Sequence, residues 1–202
     1  RFAVGPSGNV RDFYLAIRAT DKVGNQSELS TAEVSVPTSR VVYEEGFELE
    51  EGKPDGWTLE GEWARVPFSG RGTIMTDSPE GDYKNDYEAS LISPKIDLKN
   101  LTNAELHFDA RYTIEPKHDA CVVEIEHDGW FGKKWSKLAK LDGFSEWQNQ
   151  KLDLSRYTGQ EVRLRFRMDT DRDRVAYGIQ LDHLSISTKD SEEVNAGEGP
   201  LG

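Results

Sequence analysis

The sequence predicts an all-β chain of the sandwich or barrel class. Three observations lead there. Helix signals are scarce along the 202 residues. Runs of alternating apolar and polar residues recur roughly every ten positions, with Gly, Asn, Asp or Pro between them. One run, "EVRLRFRMD", alternates without a break. Val162, Leu164, Phe166 and Met168 fall on one side, and Glu161, Arg163, Arg165 and Arg167 on the other. That is a strand with one buried face and one wet face.

The elements follow in order. "FYLAIRATD" sets Phe13, Leu15, Ile17 and Ala19 against polar neighbours, and a turn at Gly24-Asn25 leads into "TAEVSV". Pro37 cannot donate to a sheet ladder, so pairing breaks there and a domain boundary is placed at about residue 38. "AELHFDARY" alternates Leu106, Phe108 and Ala110. "CVVEIEHD", "QKLDLS" and "IQLDHLSIS" complete the strands. The polar, Gly-rich tail "KDSEEVNAGEGPLG" reads as linker. This divides the chain into 1–37, 38–188 and 189–202.

The stretch "YEEGFELEEGKPDGWTLEGEW" crowds acids around Trp57 and Trp63. A metal site, a sugar platform and a plain strand with a charged outer face all fit it. The plain strand is the simplest: tryptophans inward, most glutamates in water.

Composition bounds the function. Lys+Arg is 25 and Asp+Glu is 37, a net charge of -12. A nucleic-acid binder needs a basic footprint, so that class is set aside. An acidic, oxygen-rich surface suits calcium. No apolar run is long enough to span a bilayer, so no membrane insertion is expected. No signal-peptide pattern opens at residue 1, and the start reads as mid-domain sequence, so a piece of a longer protein is expected. The single cysteine, Cys121, excludes an internal disulfide and reads as a small buried apolar residue.

"DFYLAIRATDKVGNQSELSTAEVSV" resembles the last two strands of a fibronectin type III domain. The region 38–188 resembles the extracellular jelly-roll domains of the choice-of-anchor J, cleaved-adhesin and MAM-like kinds. The resemblance rests on an ordered set: "GFE", "PDGWT" and a Trp, "SG", "DSPEGDY", "LISPKIDL", "AELHFDARYTIEPKHDACVVEIEHDG", "KLDLSRYTGQEVRLRFRMDTD" and "GIQLDHLSIS". It implies an antiparallel, galactose-binding-like jelly-roll β-sandwich. Such domains accompany subtilisin-like or M6-type peptidase domains in secreted and surface bacterial proteins, and are not themselves catalytic. Two places depart from the family pattern. "DHL" at 182–184 replaces the usual Asp-Asp-Val, and the stretched turn "DGWFGKKW" suggests a remodelled loop presenting Trp130 and Phe131.

The resemblance nominates Glu48, Asp77 and Asp182 as ligands of a stabilising Ca2+, with Asp82 as a weaker fourth. Calcium takes six to eight oxygens at about 2.3–2.6 Å. Glu115 and Asp119 also match family positions and read either as a second cation or ligand contact or as a turn-capping pair. "DTDRDRVAYGIQ" opens like an EF-hand loop at Asp169, Asp171 and Asp173. It then fails, with Arg174 where Gly is needed and Gln180 where a bidentate Glu belongs. No HExxH, no zinc spacing and no GxSxG elbow occurs, so the chain itself is expected not to be an enzyme.

The expectation is therefore a calcium-stabilised accessory region, partnered by the catalytic domain of its parent protein. It would act in stabilisation, substrate positioning or docking on a protein or glycan surface; the rival is a carbohydrate-binding module or adhesin domain. Trp130 and Phe131 are its best-placed contacts.

Overall fold

The computed structural model describes residues 10–28, 30–37, 39–48 and 56–189, with side chains for 18–28, 39–48 and 56–188. The inward face expected of Phe13, Leu15 and Ile17, residues 49–55 of the acidic stretch, and the tail beyond 189 lie outside that description.

The chain divides into two units. The first comprises the described residues from Val10 to Arg40 together with Lys189. Its strands β1 (Val10–Ile17) and β2 (Ser30–Pro37) form an antiparallel hairpin that starts with Val10 opposite Pro37. Ending the ladder on a proline is consistent with its missing N–H. The "DKVGN" turn is built by one side chain. Asp21 Oδ1 accepts from the amides of Val23 and Asn25 at 2.9 Å each, and Gly24 sits at φ 95°. Asn25 adds a side-chain bond to Asp21, the main reason that carboxyl lies below its usual range.

The second unit, Val41–Thr188, is a jelly-roll β-sandwich. The chain proceeds through β3 (Ser39–Glu45), β4 (Thr58–Glu60), β5 (Ala64–Phe68), β6 (Gly72–Thr76), β7 (Glu88–Ile92), β8 (Ile96–Asp97) and β9 (Glu105–Ile114). It continues through β10 (Ala120–Gly129), β11 (Gly132–Leu141), β12 (Gly143–Asp153), a 3-10 turn Ser155–Tyr157, β13 (Glu161–Asp169) and β14 (Gly178–Lys189). One sheet runs β11-β10-β13-β7-β4, with β8 beside β13. The other runs β12-β9-β14-β6-β5, with β3 beside β14. The pairs β10–β11, β10–β13, β9–β12, β7–β13, β8–β13, β6–β14, β9–β14, β4–β7 and β5–β6 are all antiparallel.

Alternation becomes packing as expected. Val162, Leu164, Phe166 and Met168 of β13 are buried, and so are Leu106, Phe108 and Ala110 of β9. Phe108 and Phe166 meet edge to face at 5.2 Å and 80°, joining the two sheets through the core. On the outer face of β13, Arg165 and Arg167 close on Glu124 of β10 at 2.7 and 3.3 Å, and Arg165 lies 4.3 Å over Trp135. Cys121 is fully buried, and burial pushes its thiol well above the usual range, so it packs as an apolar residue.

Trp57 and Trp63 are core residues. Phe47 packs edge to face on Trp57 at 5.6 Å. Glu45, rather than Glu48, serves this pair: its carboxylate accepts from the Phe47 amide at 2.7 Å and from the Trp57 indole N–H at 3.2 Å. An acid beside a buried tryptophan here satisfies a donor that burial would leave unpaired.

The stretched "DGWFGKKW" segment is no irregular loop. Gly129 faces Gly132 at the end of the β10–β11 ladder, so the turn is Trp130-Phe131 alone.

Candidate functional site

Three loops meet near one group of acids: 77–87 after β6, 115–119 between β9 and β10, and 170–177 between β13 and β14. Backbone bonds staple them. The Asp86 amide donates to the Asp171 carbonyl at 2.7 Å, the Tyr83 amide to the Ala176 carbonyl at 3.0 Å, and the Thr170 amide to the Tyr87 carbonyl at 3.1 Å. The Thr170 hydroxyl donates to the Lys84 carbonyl at 2.7 Å. Within "EPKHD", the Asp119 amide closes back on the Glu115 carbonyl at 3.2 Å, with Lys117 at φ 73°. That single turn sets both acids on the same side.

Asp119 is fully buried and anchors the corner. The Tyr83 hydroxyl donates to its Oδ2 at 2.6 Å, and the Asp171 amide donates to its Oδ1 at 2.7 Å. Burial first, and then the bond to Asp119, raises the Tyr83 phenol well above its usual range, so it remains a donor. Glu115, Asp119 and Asp171 each offer a carboxylate oxygen within 4.8 Å of the others, and they form the single such trio among the described residues. Glu115 Oε2 is buried without a hydrogen-bond partner. The counter-charges around the trio are exposed and loosely placed: Arg174 lies 3.6 Å from Glu115 and His118 lies 3.3 Å from Asp171. Exposed pairs of this kind hold little energy and give way readily. An unpartnered buried carboxylate oxygen beside two further carboxylates is a donor set suited to a hard cation such as Ca2+.

Of the four acids nominated for the stabilising Ca2+, Glu48, Asp77 and Asp182 hold protein partners. Glu48 is exposed, and its carboxylate contacts the Thr73 amide at 3.3 Å and the Thr73 hydroxyl at 3.2 Å. Asp77 is 0% exposed and accepts from the Ile179 amide at 2.7 Å and from the Ser78 hydroxyl at 3.3 Å. Its Oδ2 has no partner, and burial pushes its carboxyl up to about 7. Asp182, also 0% exposed, is met by Arg71 and His183, each at 2.9 Å. Asp82 is exposed. These four are not a metal-compatible group of the kind formed by Glu115, Asp119 and Asp171.

Arg71 bridges Asp182 and Asp109 with one nitrogen, at 2.9 and 3.0 Å, and its guanidinium lies 4.0 Å over Trp147. Burial pushes the Asp109 carboxyl up, but bonds from Asn149 and Arg71 outweigh it and hold the group below its usual range. Sequence reasoning missed Arg71, and missed Asp171 as a member of the acidic trio. Only the closing of separate loops and strands brings them to their partners.

At the opposite end of β10, Trp130 is 93% exposed and Phe131 is 98% exposed. They lie at the far end of β10 from Glu115 and Asp119, which precede its first residue.

A sandwich of two antiparallel sheets with an acid-lined loop corner places this chain among jelly-roll domains. No protein-family model matches it. It is 26% identical over 165 residues to Bacillopeptidase F of Bacillus subtilis, covering 76% of this chain and 11% of that protein. It is 30% identical over 117 residues to Immune inhibitor A of Bacillus thuringiensis, covering 54% of this chain and 17% of that protein. The chain therefore spans less than a fifth of the length of either relative. Among solved structures, the K3 cleaved adhesin domain of Porphyromonas gingivalis Lys-gingipain superposes with a TM-score of 0.50 at 15% identity, over 74% of this chain and 100% of that one. The CBM22-1 xylan-binding domain of a Paenibacillus barcinonensis protein gives a TM-score of 0.49 at 14% identity, over 76% and 97%.

Proposed function

We propose that this chain is a non-catalytic accessory region of a longer secreted or surface bacterial protein of peptidase type, subtilisin-like or M6-like. It acts by stabilising the parent, positioning substrate or docking on a surface. The observation that carries this reading is the pairing of a jelly-roll sandwich with sequence similarity to small segments of Bacillopeptidase F and Immune inhibitor A. The hairpin 10–37 is the end of a fibronectin type III-like module in this reading.

Calcium is the stabilising ion. Glu115, Asp119 and Asp171 would hold it, because Glu115 Oε2 is buried without a partner and the trio is supplied by separate loops. A cation bound there only in the folded state links those loops and stabilises the fold by mass action.

The test is a thermal melt in EDTA and then in calcium, for the wild type, the double variant Glu115→Gln/Asp171→Asn, and Asp182→Ala. A calcium-dependent rise in Tm is expected, lost in the double variant and kept in Asp182→Ala. No rise in the wild type would remove calcium from the proposal. A rise lost only in Asp182→Ala would return the ion to the place the family resemblance nominates. Peptide hydrolysis by the purified chain would overturn the non-catalytic reading.

A further inference from the structure

We infer that the tip of the β10–β11 hairpin is an interfacial anchor for a bilayer surface carrying anionic lipid. The turn contains only Trp130 and Phe131, flanked by Gly129 and Gly132. Gly132 supplies the positive φ, 116°, so the backbone does not require aromatics at either turn position. Small polar residues would close this turn equally well. Instead it carries two large apolar side chains, 93% and 98% exposed, at the apex of a long hairpin. A single exposed aromatic is commonplace, but two adjacent ones projecting from a tip mark a contact surface.

The tip stands open to solvent, and its polar surroundings are already engaged. Lys133 pairs with Asp128 at 2.8 Å and also reaches the Glu161 carbonyl at 3.1 Å. The Asp128 amide donates to Gln160 at 2.7 Å. A sugar site combines a stacking face with convergent polar groups fixed in place. A bilayer interface needs no such directional partners: Trp and Phe settle at the headgroup level by apolar burial.

Charge points the same way. The chain carries a net -12, yet within this hairpin the four lysines of "GKKWSKLAKL" (Lys133, Lys134, Lys137 and Lys140) outnumber the three acids of β10 (Glu124, Glu126 and Asp128). Lys134 and Lys137 form no ion pair among the described residues. The stem of Lys134 runs against Gly129, where an added Cβ would meet its Cδ at 3.0 Å. Its stem therefore lies beside the tip, and the basic group it carries attracts anionic headgroups. The anchor would lie on the membrane and not cross it. The inference is independent of the metal corner and of the identity of the parent protein.

The experiment is co-sedimentation of the full chain with phosphatidylcholine vesicles, with and without about 30 mol% phosphatidylglycerol. Brominated lipid serves as a depth-sensitive quencher. The variants are Trp130→Ser/Phe131→Ser and Lys134→Glu/Lys137→Glu, each checked for an unchanged melt. The wild type is expected to bind the anionic vesicles and to show quenched tryptophan emission. Both variants should bind roughly tenfold or more weakly, and quenching should vanish without Trp130. Three results would overturn the proposal: no vesicle binding by the wild type, equal binding by the aromatic variant, or saturable binding of a soluble oligosaccharide abolished by Trp130→Ser in a chain that ignores vesicles. The last would make the tip a glycan contact.

Discussion

Replacing Asp77 by Asn should flatten the loss of stability that the wild type undergoes as pH rises. The carboxyl is 0% exposed, and one of its oxygens has no partner. It ionises near 3.8 in an unfolded chain and near 7 in the fold, chiefly because burial penalises the charge. Between those values the folded state keeps a proton that the unfolded state has released. Stability therefore falls as pH rises through that window and levels off above the folded value. The full difference corresponds to about 4 kcal/mol, at ~1.4 kcal/mol per tenfold in the proton equilibrium. Asn keeps an acceptor for the Ile179 amide and removes the charge. It also buries an amide nitrogen, at a cost of about 1–3 kcal/mol that is the same at every pH. The quantity to compare is thus the change between conditions. Urea unfolding followed by tryptophan fluorescence, in EDTA, would be run at about pH 5 and about pH 8.5, on either side of the folded transition. The wild type should lose stability between the two by a few kcal/mol, and Asp77→Asn should lose markedly less. Parallel pH profiles would refute the reasoning and show that Asp77 is ionised in the fold. If Asp77→Asn is destabilised at alkaline pH only when calcium is present, Asp77 would be restored as a metal ligand.

Two further outcomes follow from the hydrogen-bonded acids. Arg71→Met should cost about 3 kcal/mol of unfolding free energy in urea titration, because it leaves Asp182 buried with only the exposed His183 beside it; a loss below about 1 kcal/mol would show that His183 or water suffices. Tyr83→Phe should lower stability by about 2 kcal/mol in EDTA by removing the donor to buried Asp119, and an unchanged Tm would mean that the corner holds through its backbone bonds alone.

Much of the fold was legible because burial imposes a period. The β13 pattern worked because that strand is central in its sheet and buries one face completely. Strand β11 did not announce itself: it is an edge strand, and lysines stand on both of its faces. The exposure of Trp130 and the burial of Trp57 and Trp63 were readable from their neighbours. The acidic corner was half readable. Glu115 and Asp119 are close in sequence across one turn, whereas Asp171 arrives from a loop between two later strands. Nothing local to Asp182 signals Arg71, which lies 111 positions earlier in the chain. Long-range pairing between a loop and a strand is a property of topology, and residue types alone do not encode it.

The lysines of β11 have a consequence for how many copies can live together in solution. An outermost strand displays unused amides and carbonyls, a template on which another chain can build. Here any second copy that aligned its own β11 would bring four ammonium groups against four more. The row thus guards the border of the sheet, and any process that neutralises those charges would open it to stacking.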